Sequence, residues 1–424
     1  MHEQLGSREF DAIVVGSGPG GATIARELSK KQKRVLVLER GGNAPLKEGL
    51  LATASIVTGV SVSDKLRAAS ALTTGGTTAL YFAVADPPPL ETFLTLGIDL
   101  SRALEEAKRE LPLAVLPDAL LGTQAIKVRD SALELGYAWK KNTMLVDLAR
   151  CSSGYAYAAK WNARSYLHEA VGDGAVLINR AKVLKVLFEK KRAIGVEYRL
   201  RKGKKEGEIC RAYGTKIVLA AGGAASPLIL RDSGMKSVAN GGFYCHPGFG
   251  VFGMVAGLKA GETFVGSMGA SVDEHLALSD ANCARIFYRM LMLGQRRFIR
   301  AFCHSRSIAV GVMVKEGLGG GLEDGRYYKQ LPEEVLGQLA KGEQMARQIV
   351  RNAGGKHVFT SSLGAGQVGG AIRINEDIDE HLQTEYANLH VCDGSVIPET
   401  VKATPTLTLI CLGKYLADHL SANC

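Results

Sequence analysis

Residues 11–42 read DAIVVGSGPGGATIARELSKKQKRVLVLERGG, and within them the spacing Gly16-x-Gly18-x-x-Gly21 joins an apolar run to a helix-forming one. An acid, Glu39, follows about 20 residues further on. Each position has a chemical use. Gly16 permits a tight turn, Gly18 lets a pyrophosphate approach the backbone, and Gly21 lets helix and strand pack closely. Pro19 and Gly20 open the helix, whose first N–H groups and partial positive charge attract phosphate oxygens. A carboxylate at Glu39 accepts hydrogen bonds from a ribose diol. The stretch therefore predicts a dinucleotide site.

Such a site needs a strand over 12–15, a helix over 20–31 and a second strand over 34–38. The pattern of the chain supplies all three. Residues 43–70 read as loop and short helix, and Thr73–Thr78 (TTGGTT) as a second glycine turn. Residues 91–135 alternate helical patches with turns. A helix over 162–171 precedes strands over 183–188 and 194–199, a charged turn RKGKKEGE, and an apolar strand over 216–220 ending in AAGGAASP. Residues 246–315 are strand-like and irregular, 333–352 form an amphipathic helix, and the chain ends in a strand, a turn and a closing helix.

With 424 residues, 46% of them hydrophobic, the chain can bury one or two full cores. The net charge of +10 sits in short clusters without zinc spacing or interleaved aromatics, which argues for solvated faces rather than nucleic acid. The segment RIFYRMLMLGQRRFIRAF is apolar, basic and amphipathic. Core packing is its favoured reading over contact with a membrane or a partner. The 8 cysteines include no CxxC pair, which predicts reduced thiols in a cytoplasmic protein and no metal site. No signal peptide or membrane span is expected.

ERGG after the second strand favours FAD over NAD(P). From there the sequence resembles the glucose–methanol–choline (GMC) family of FAD-dependent oxidoreductases. The pieces that carry the likeness are VVGSGPGGATIARELSKKQKRVLVLERGG, TTGGTTAL, AKWNARSYLHEAV, IVLAAGGAASPLILRDSGM, CHPGFGV and NLHVCDGSVIPETVKATPTLTLICLGKYLADHL, in family order. The resemblance implies an α/β protein with a Rossmann-like FAD-binding domain of GMC type. A discontinuous α+β substrate domain would be built on an antiparallel sheet. The expected division is 8–90, 150–240 and 385–424 for FAD, with 91–149 and 241–384 for substrate. The FAD is expected to be non-covalent, because no His or Cys stands in the glycine turn. Besides Gly16, Gly18, Pro19, Gly20, Gly21, Glu39 and Arg40, the likeness places Gly75, Gly76, Thr77, Thr78, Val183, Ala221, Gly222, Asp393, Gly394, Pro405 and Thr406 against the cofactor.

The catalytic positions depart from the family. Where relatives carry a histidine to take the alcohol proton, SSLGAGQVGG has Ser361. Where they carry His or Asn before the final helix, KATPTLT has Thr404. Neither hydroxyl is a general base by itself. Tyr81, as a donor or acid at the flavin face, and His246, facing the substrate, are the remaining candidates, with a packed structural role the favoured expectation for both His246 and His357. Cys245 and Cys392 are expected to be buried small hydrophobes. The expected function is transfer of a hydride between an organic substrate (an alcohol or an activated C–H or C=C bond) and flavin N5. Electrons would be exchanged with a non-nicotinamide partner, an electron-transfer protein or a quinone. A non-redox lyase or isomerase that retains FAD, or a flavin subunit acting through a partner, are the alternatives.

Overall fold

The computed structural model describes residues 9–47, 49–63, 66–202, 205–401 and 404–422. Four parallel strands begin the first sheet, in the spatial order Val176–Asn179, Val35–Glu39, Glu9–Val15 and Lys205–Leu219. Leu389–Val391 joins the last of them, also parallel. All five residues of Val35–Glu39 are buried, as expected of a parallel strand covered on both faces. The 15-residue strand Lys205–Leu219 does two jobs. Its second half lies in the parallel sheet, and its first half pairs antiparallel with Arg192–Lys202, which pairs in turn with the edge strand Ala181–Glu189. The sequence predicts only 216–220 here. The extension is polar and alternating, and it is stabilised by its neighbour rather than by its own apolarity. The turn expected between the two strands includes residues 203 and 204, outside the described residues.

Two long helices, Pro19–Lys30 and the closing Pro405–Ala422, pack against each other. Proline at the first helical position suits both, since its missing N–H would have no helical partner there. The helices approach closely at Gly413, where an added Cβ would lie 2.8 Å from Thr23 Cβ. Between them Lys414, 2% exposed, sits 3.4 Å from Glu27 and 3.0 Å from Glu110. Arg26 holds the same Glu110 at 2.7 Å and Glu169 at 2.5 Å. Lys414 and Arg26 are buried, and each is offset by carboxylates that reach in from the surface.

The second sheet is largely antiparallel and has nine strands. Its centre is Pro247–Met254 beside Ser307–Val314, with Leu276–Asp280, Met268–Ser271 and Lys140–Lys141 to one side. The helix Glu333–Asn352, with the bounds its periodicity predicts, packs on this sheet and buries Val335, Leu339, Ala346, Ile349 and Val350. One departure concerns residues 43–70. A helix, Leu50–Ile56, is followed by the hairpin Val57–Ser61 and Arg67–Ala71, which joins the second sheet through Ala68 opposite Ala365. The hairpin is made of small residues, so its pairing is decided by a distant strand and not by local propensity. It lies with the sheet expected to carry substrate, although its sequence position is within 8–90.

The apolar basic segment divides in two. Helix Arg285–Gly294 buries Tyr288 and Met292 against Phe252, Ala309 and Phe359, as core packing requires. Phe298, Ile299 and Phe302 beyond it are 61%, 85% and 78% exposed, which corrects the core expectation for that stretch. No helix among the described residues is long and apolar enough to cross a membrane.

Candidate functional site

The glycine fingerprint is built as its spacing demands. Gly16 has φ +102°, and a Cβ on it would strike the Ala220 carbonyl; one on Gly20 would strike the Cys392 carbonyl, and one on Gly21 the Gly16 carbonyl. Gly18 differs. A Cβ there, or on Gly222 (φ +101°) across the sheet end, meets no heavy atom within 4 Å. Three glycines thus close the packing of strand and helix, while Gly18 and Gly222 border open space above the strand ends. This is where ligands sit in doubly wound sheets. The first turn of Pro19–Lys30 leaves N–H groups without helical partners at the same place.

Glu39 ends the second strand, 6% exposed. Burial raises its pKa from the ordinary carboxylate value, and hydrogen bonds from Ser17 and Gly41 oppose that rise. Its Oε2 accepts from the Ser17 N–H (3.2 Å) and the Ser17 hydroxyl (2.5 Å), and its Oε1 from the Gly41 N–H (2.5 Å). A carboxylate oxygen accepts two bonds, so Oε1 keeps an acceptor position for a ligand hydroxyl. Arg40 beside it is exposed.

The second glycine turn is fastened to the first. Gly75 (φ +91°) donates its N–H to Ser17 Oγ at 3.0 Å, and an added Cβ on Gly76 would lie 3.1 Å from Gly18 Cα. Thr78 is engaged within the protein, donating to the Gly75 carbonyl and accepting from the Ala163 N–H. Thr77 is exposed, with its hydroxyl 3.5 Å from that of Ser70. Arg164 donates to Thr73 Oγ1 and the Thr74 carbonyl, and Asn179 to Thr74 Oγ1, so two residues the sequence reading did not single out hold this turn.

Asp393 ties three further elements. Its Oδ2 accepts from the Gly222 N–H (2.9 Å) and the Ser226 hydroxyl (2.5 Å), and its Oδ1 from the Ser395 N–H and hydroxyl. Ala221 donates its N–H to Ser226 Oγ. Gly394 packs against Gly223 and the Val368 carbonyl. Pro405 and Thr406 form the first turn of the closing helix, and Val183 lies on the edge strand of the first sheet. Residues 402 and 403, within the expected KATPTLT signature, lie outside the described residues.

Of the four residues expected to do chemistry, three have hydroxyls held by the protein. Ser361 accepts from the Gly250 N–H (3.0 Å) and donates to the Ser362 carbonyl. Thr404 accepts from the Asp86 N–H and donates to the Val84 carbonyl, while its own N–H goes to Asp86 Oδ2. Tyr81 donates to the Trp161 carbonyl at 2.6 Å, and burial raises its pKa well above the ordinary value.

His246 stands apart. It is 3% exposed, holds a left-handed φ of 41°, and stacks on Tyr244 with centroids 4.4 Å apart. Its Nδ1 accepts a long 3.4 Å bond from the Glu316 N–H, which leaves the proton on Nε2, and Nε2 has no partner. Burial and the nearby Lys315 and Lys329 charges lower its pKa to about 3, so the ring is neutral at ordinary pH. Beneath it lies a buried pair, Glu316 and Lys329 at 3.1 Å, with Glu316 also accepting from Cys245. Above it the Tyr244 ring packs on Gly369 and Gly370, and Gly369 in turn approaches the Gly394 carbonyl. Tyr244, Glu316 and Lys329 have no sequence signature, because only the tertiary fold gathers them. His357 is exposed at the start of Lys356–Thr360, away from any such cluster, and Cys245 and Cys392 are fully buried. Among the described residues no cluster has the arrangement of a metal site.

A Rossmann-like sheet joined to a second, largely antiparallel sheet defines the fold class of the chain. Residues 14–45 match the NAD(P)-binding Rossmann-like domain, and residues 99–275 match the GMC oxidoreductase domain. Over the matched regions the chain is similar to GMC oxidoreductases. It is 29% identical over 257 residues to an uncharacterized GMC-type oxidoreductase of Mycobacterium tuberculosis, covering 53% of this chain and 39% of that protein's length. It is 26% identical over 267 residues to another from Sinorhizobium fredii, covering 56% and 52%. An uncharacterized protein of Methanocaldococcus jannaschii is 22% identical across 97% of this chain and 100% of its own. Pyridoxine 4-oxidase from Mesorbium loti shares the fold, with a TM-score of 0.72 at 13% identity over 97% of this chain and 99% of that one.

Proposed function

We propose that the chain binds FAD non-covalently and transfers a hydride between a small organic substrate and the flavin. The observation that carries this reading is the pair of open glycines, Gly18 and Gly222, at the ends of strands whose neighbouring glycines are tightly closed. A cradle that a side chain would fill suits a pyrophosphate. Glu39 Oε1 takes a ribose hydroxyl, the edge strand at Val183 takes the adenine, and the turns at Gly75–Thr77, Gly394 and Pro405–Thr406 line the remainder. When bound, FAD supplies the hydride-accepting or hydride-donating centre at N5. The residue division of the two functions follows 8–90, 150–240 and 385–424 against 91–149 and 241–384, with the hairpin 57–71 reassigned to the substrate side.

His246 is the chain's own contribution to proton handling. Its neutral ring holds the Nε2 proton in one tautomer, and that N–H is the unpartnered polar atom of the four candidate side chains. It orients a substrate oxygen by donating to it. A donor of this kind suits an alcohol–carbonyl pair or an unsaturated acceptor. The electron partner, an electron-transfer protein or a quinone, is of the non-nicotinamide class.

An anaerobic visible spectrum of the purified protein tests the reading. Oxidised flavin bands that bleach with an alcohol, or that recover with an unsaturated acceptor after dithionite, support it. A colourless protein that cannot be loaded with FAD overturns it.

A further inference from the structure

Residues 283–306 read CARIFYRMLMLGQRRFIRAFCHSR, with arginine at 285, 289, 296, 297, 300 and 306 and no acidic residue. After the helix Arg285–Gly294 the chain bends into the short turn Ile299–Phe302, which anchors itself through Ala301. Its other apolar side chains point away from the protein: Phe298 is 61% exposed, Ile299 85% and Phe302 78%, with Leu293 at 41% nearby. Exposure of this kind within five consecutive residues costs solubility and has no role in the core already described.

The surrounding charge is mostly cationic. Among the described residues, Arg285 is the arginine of this segment with a carboxylate partner, Glu262 at 3.5 Å. Arg297 and Arg300 lie over the Phe359 ring at 4.4 and 4.2 Å, and Arg289 is 5.9 Å from the Phe302 ring. Lys356 and Lys259 are exposed on the adjoining chain, the latter beside Ala260, which donates to the Ser305 carbonyl. Guanidinium groups stacked on rings are held in place without being neutralised.

We propose that this turn seats the protein on an anionic lipid bilayer. Phe298, Ile299 and Phe302 enter the interface between headgroups and acyl chains, and Arg289, Arg296, Arg297, Arg300 and Arg306 meet the lipid phosphates. An apolar tip with a predominantly cationic collar is the arrangement of interfacial anchors. A protein partner is the poorer fit, because a stable interface takes about 800 Å² from each side and this tip offers a few side chains on a narrow turn. Strand Lys356–Thr360 runs from the patch toward Ser361, whose hydroxyl accepts from Gly250 of the central strand Pro247–Met254, so the seated face belongs to the substrate side. The inference does not depend on the cofactor assignment.

The test is co-sedimentation of the full chain with vesicles of phosphatidylcholine alone or with about a third phosphatidylglycerol. Anionic vesicles are expected to bind about tenfold more protein than neutral ones, with the preference reduced by salt. Replacing Arg296, Arg297 and Arg300 by glutamine removes the preference. The single variant Ile299→Asp, at a site too exposed to affect folding, lowers binding to anionic vesicles severalfold while leaving the melting temperature and any bound chromophore unchanged. Absence of binding to anionic vesicles overturns the proposal. So does Ile299→Asp binding like the parent, which would reduce the effect to adsorption of a basic protein. Binding to an acidic polypeptide such as polyglutamate but not to vesicles would also overturn it, in favour of a protein partner.

Discussion

The Ser17 hydroxyl donates to Glu39 Oε2 at 2.5 Å and accepts the Gly75 N–H at 3.0 Å. One buried serine, 1% exposed, therefore joins the fingerprint turn, the end of the second strand and the second glycine turn. Ser17→Ala leaves the Gly75 N–H without its acceptor and Glu39 with one bond fewer. A loss of about 1–3 kcal/mol in unfolding free energy is expected, together with weaker FAD binding. Thermal melts with and without added FAD measure both, and unchanged values would remove Ser17 from the cradle.

Gly16 and Gly18 belong to one motif but should fail differently. Gly16→Ala places a Cβ against the Ala220 carbonyl at φ +102°, and this variant is expected to lose folded protein. Gly18→Val has an ordinary backbone (φ −69°) and open space, so it is expected to fold and to lose the flavin. Circular dichroism and the flavin absorbance of the two purified variants separate the outcomes. A yellow Gly18→Val protein would place the pyrophosphate elsewhere.

His246→Gln is expected to keep the flavin spectrum and to slow substrate-linked flavin reduction by about a hundredfold or more. Ser361→Ala should change that rate little, since its hydroxyl is held by Gly250 and Ser362. Stopped-flow reduction of both variants decides between them. The opposite order would return the chemistry to the position where relatives carry histidine.

Stability should depend on pH through three buried groups. His246 and His390 are lowered from 6.5 to about 3, mainly by burial, so the unfolded chain binds protons between those values that the folded chain refuses. Their contribution is fully present above pH 6.5 and is lost as pH falls toward 3. Asp280, raised from 3.8 to about 7 by burial, acts in the reverse sense: its contribution is present below pH 3.8 and is lost as pH rises through 7. His390→Asn should therefore flatten the acid limb by one proton, about 1.4 kcal/mol per pH unit, and Asp280→Asn should steepen it. Urea titrations between pH 4 and 6 (about two units inside the histidine window) give the slopes. Parallel limbs for parent and variants would contradict the assignment.

Much of the nucleotide half was legible from residue order. The glycine spacing, the acid at Glu39 and the apolar runs are local features, and the backbone turn and helix they specify depend on neighbours a few residues away. The same holds for the helix Glu333–Asn352, whose apolar period coincides with its buried face. Glycine is informative because steric exclusion acts at short range, as at Gly16 and Gly21.

Contacts between distant segments were decided only by the tertiary structure. Lys205–Leu219 became a 15-residue strand because Arg192–Lys202 folds back on it, and the hairpin 57–71 found its sheet through Ala365. The partners of Ser17, the buried ion pairs of Lys414 and the unpartnered Nε2 of His246 arise where segments far apart in the chain meet. Hydrogen bonds and ion pairs of this kind carry no periodicity, so residue type alone does not announce them. The amino-acid order determined that a dinucleotide cradle would form, because that cradle is made of short-range turns. Which of the candidate side chains keeps an unpartnered polar atom depended on long-range packing, which engages Ser361, Thr404 and Tyr81 and leaves the buried Nε2 of His246 without a partner.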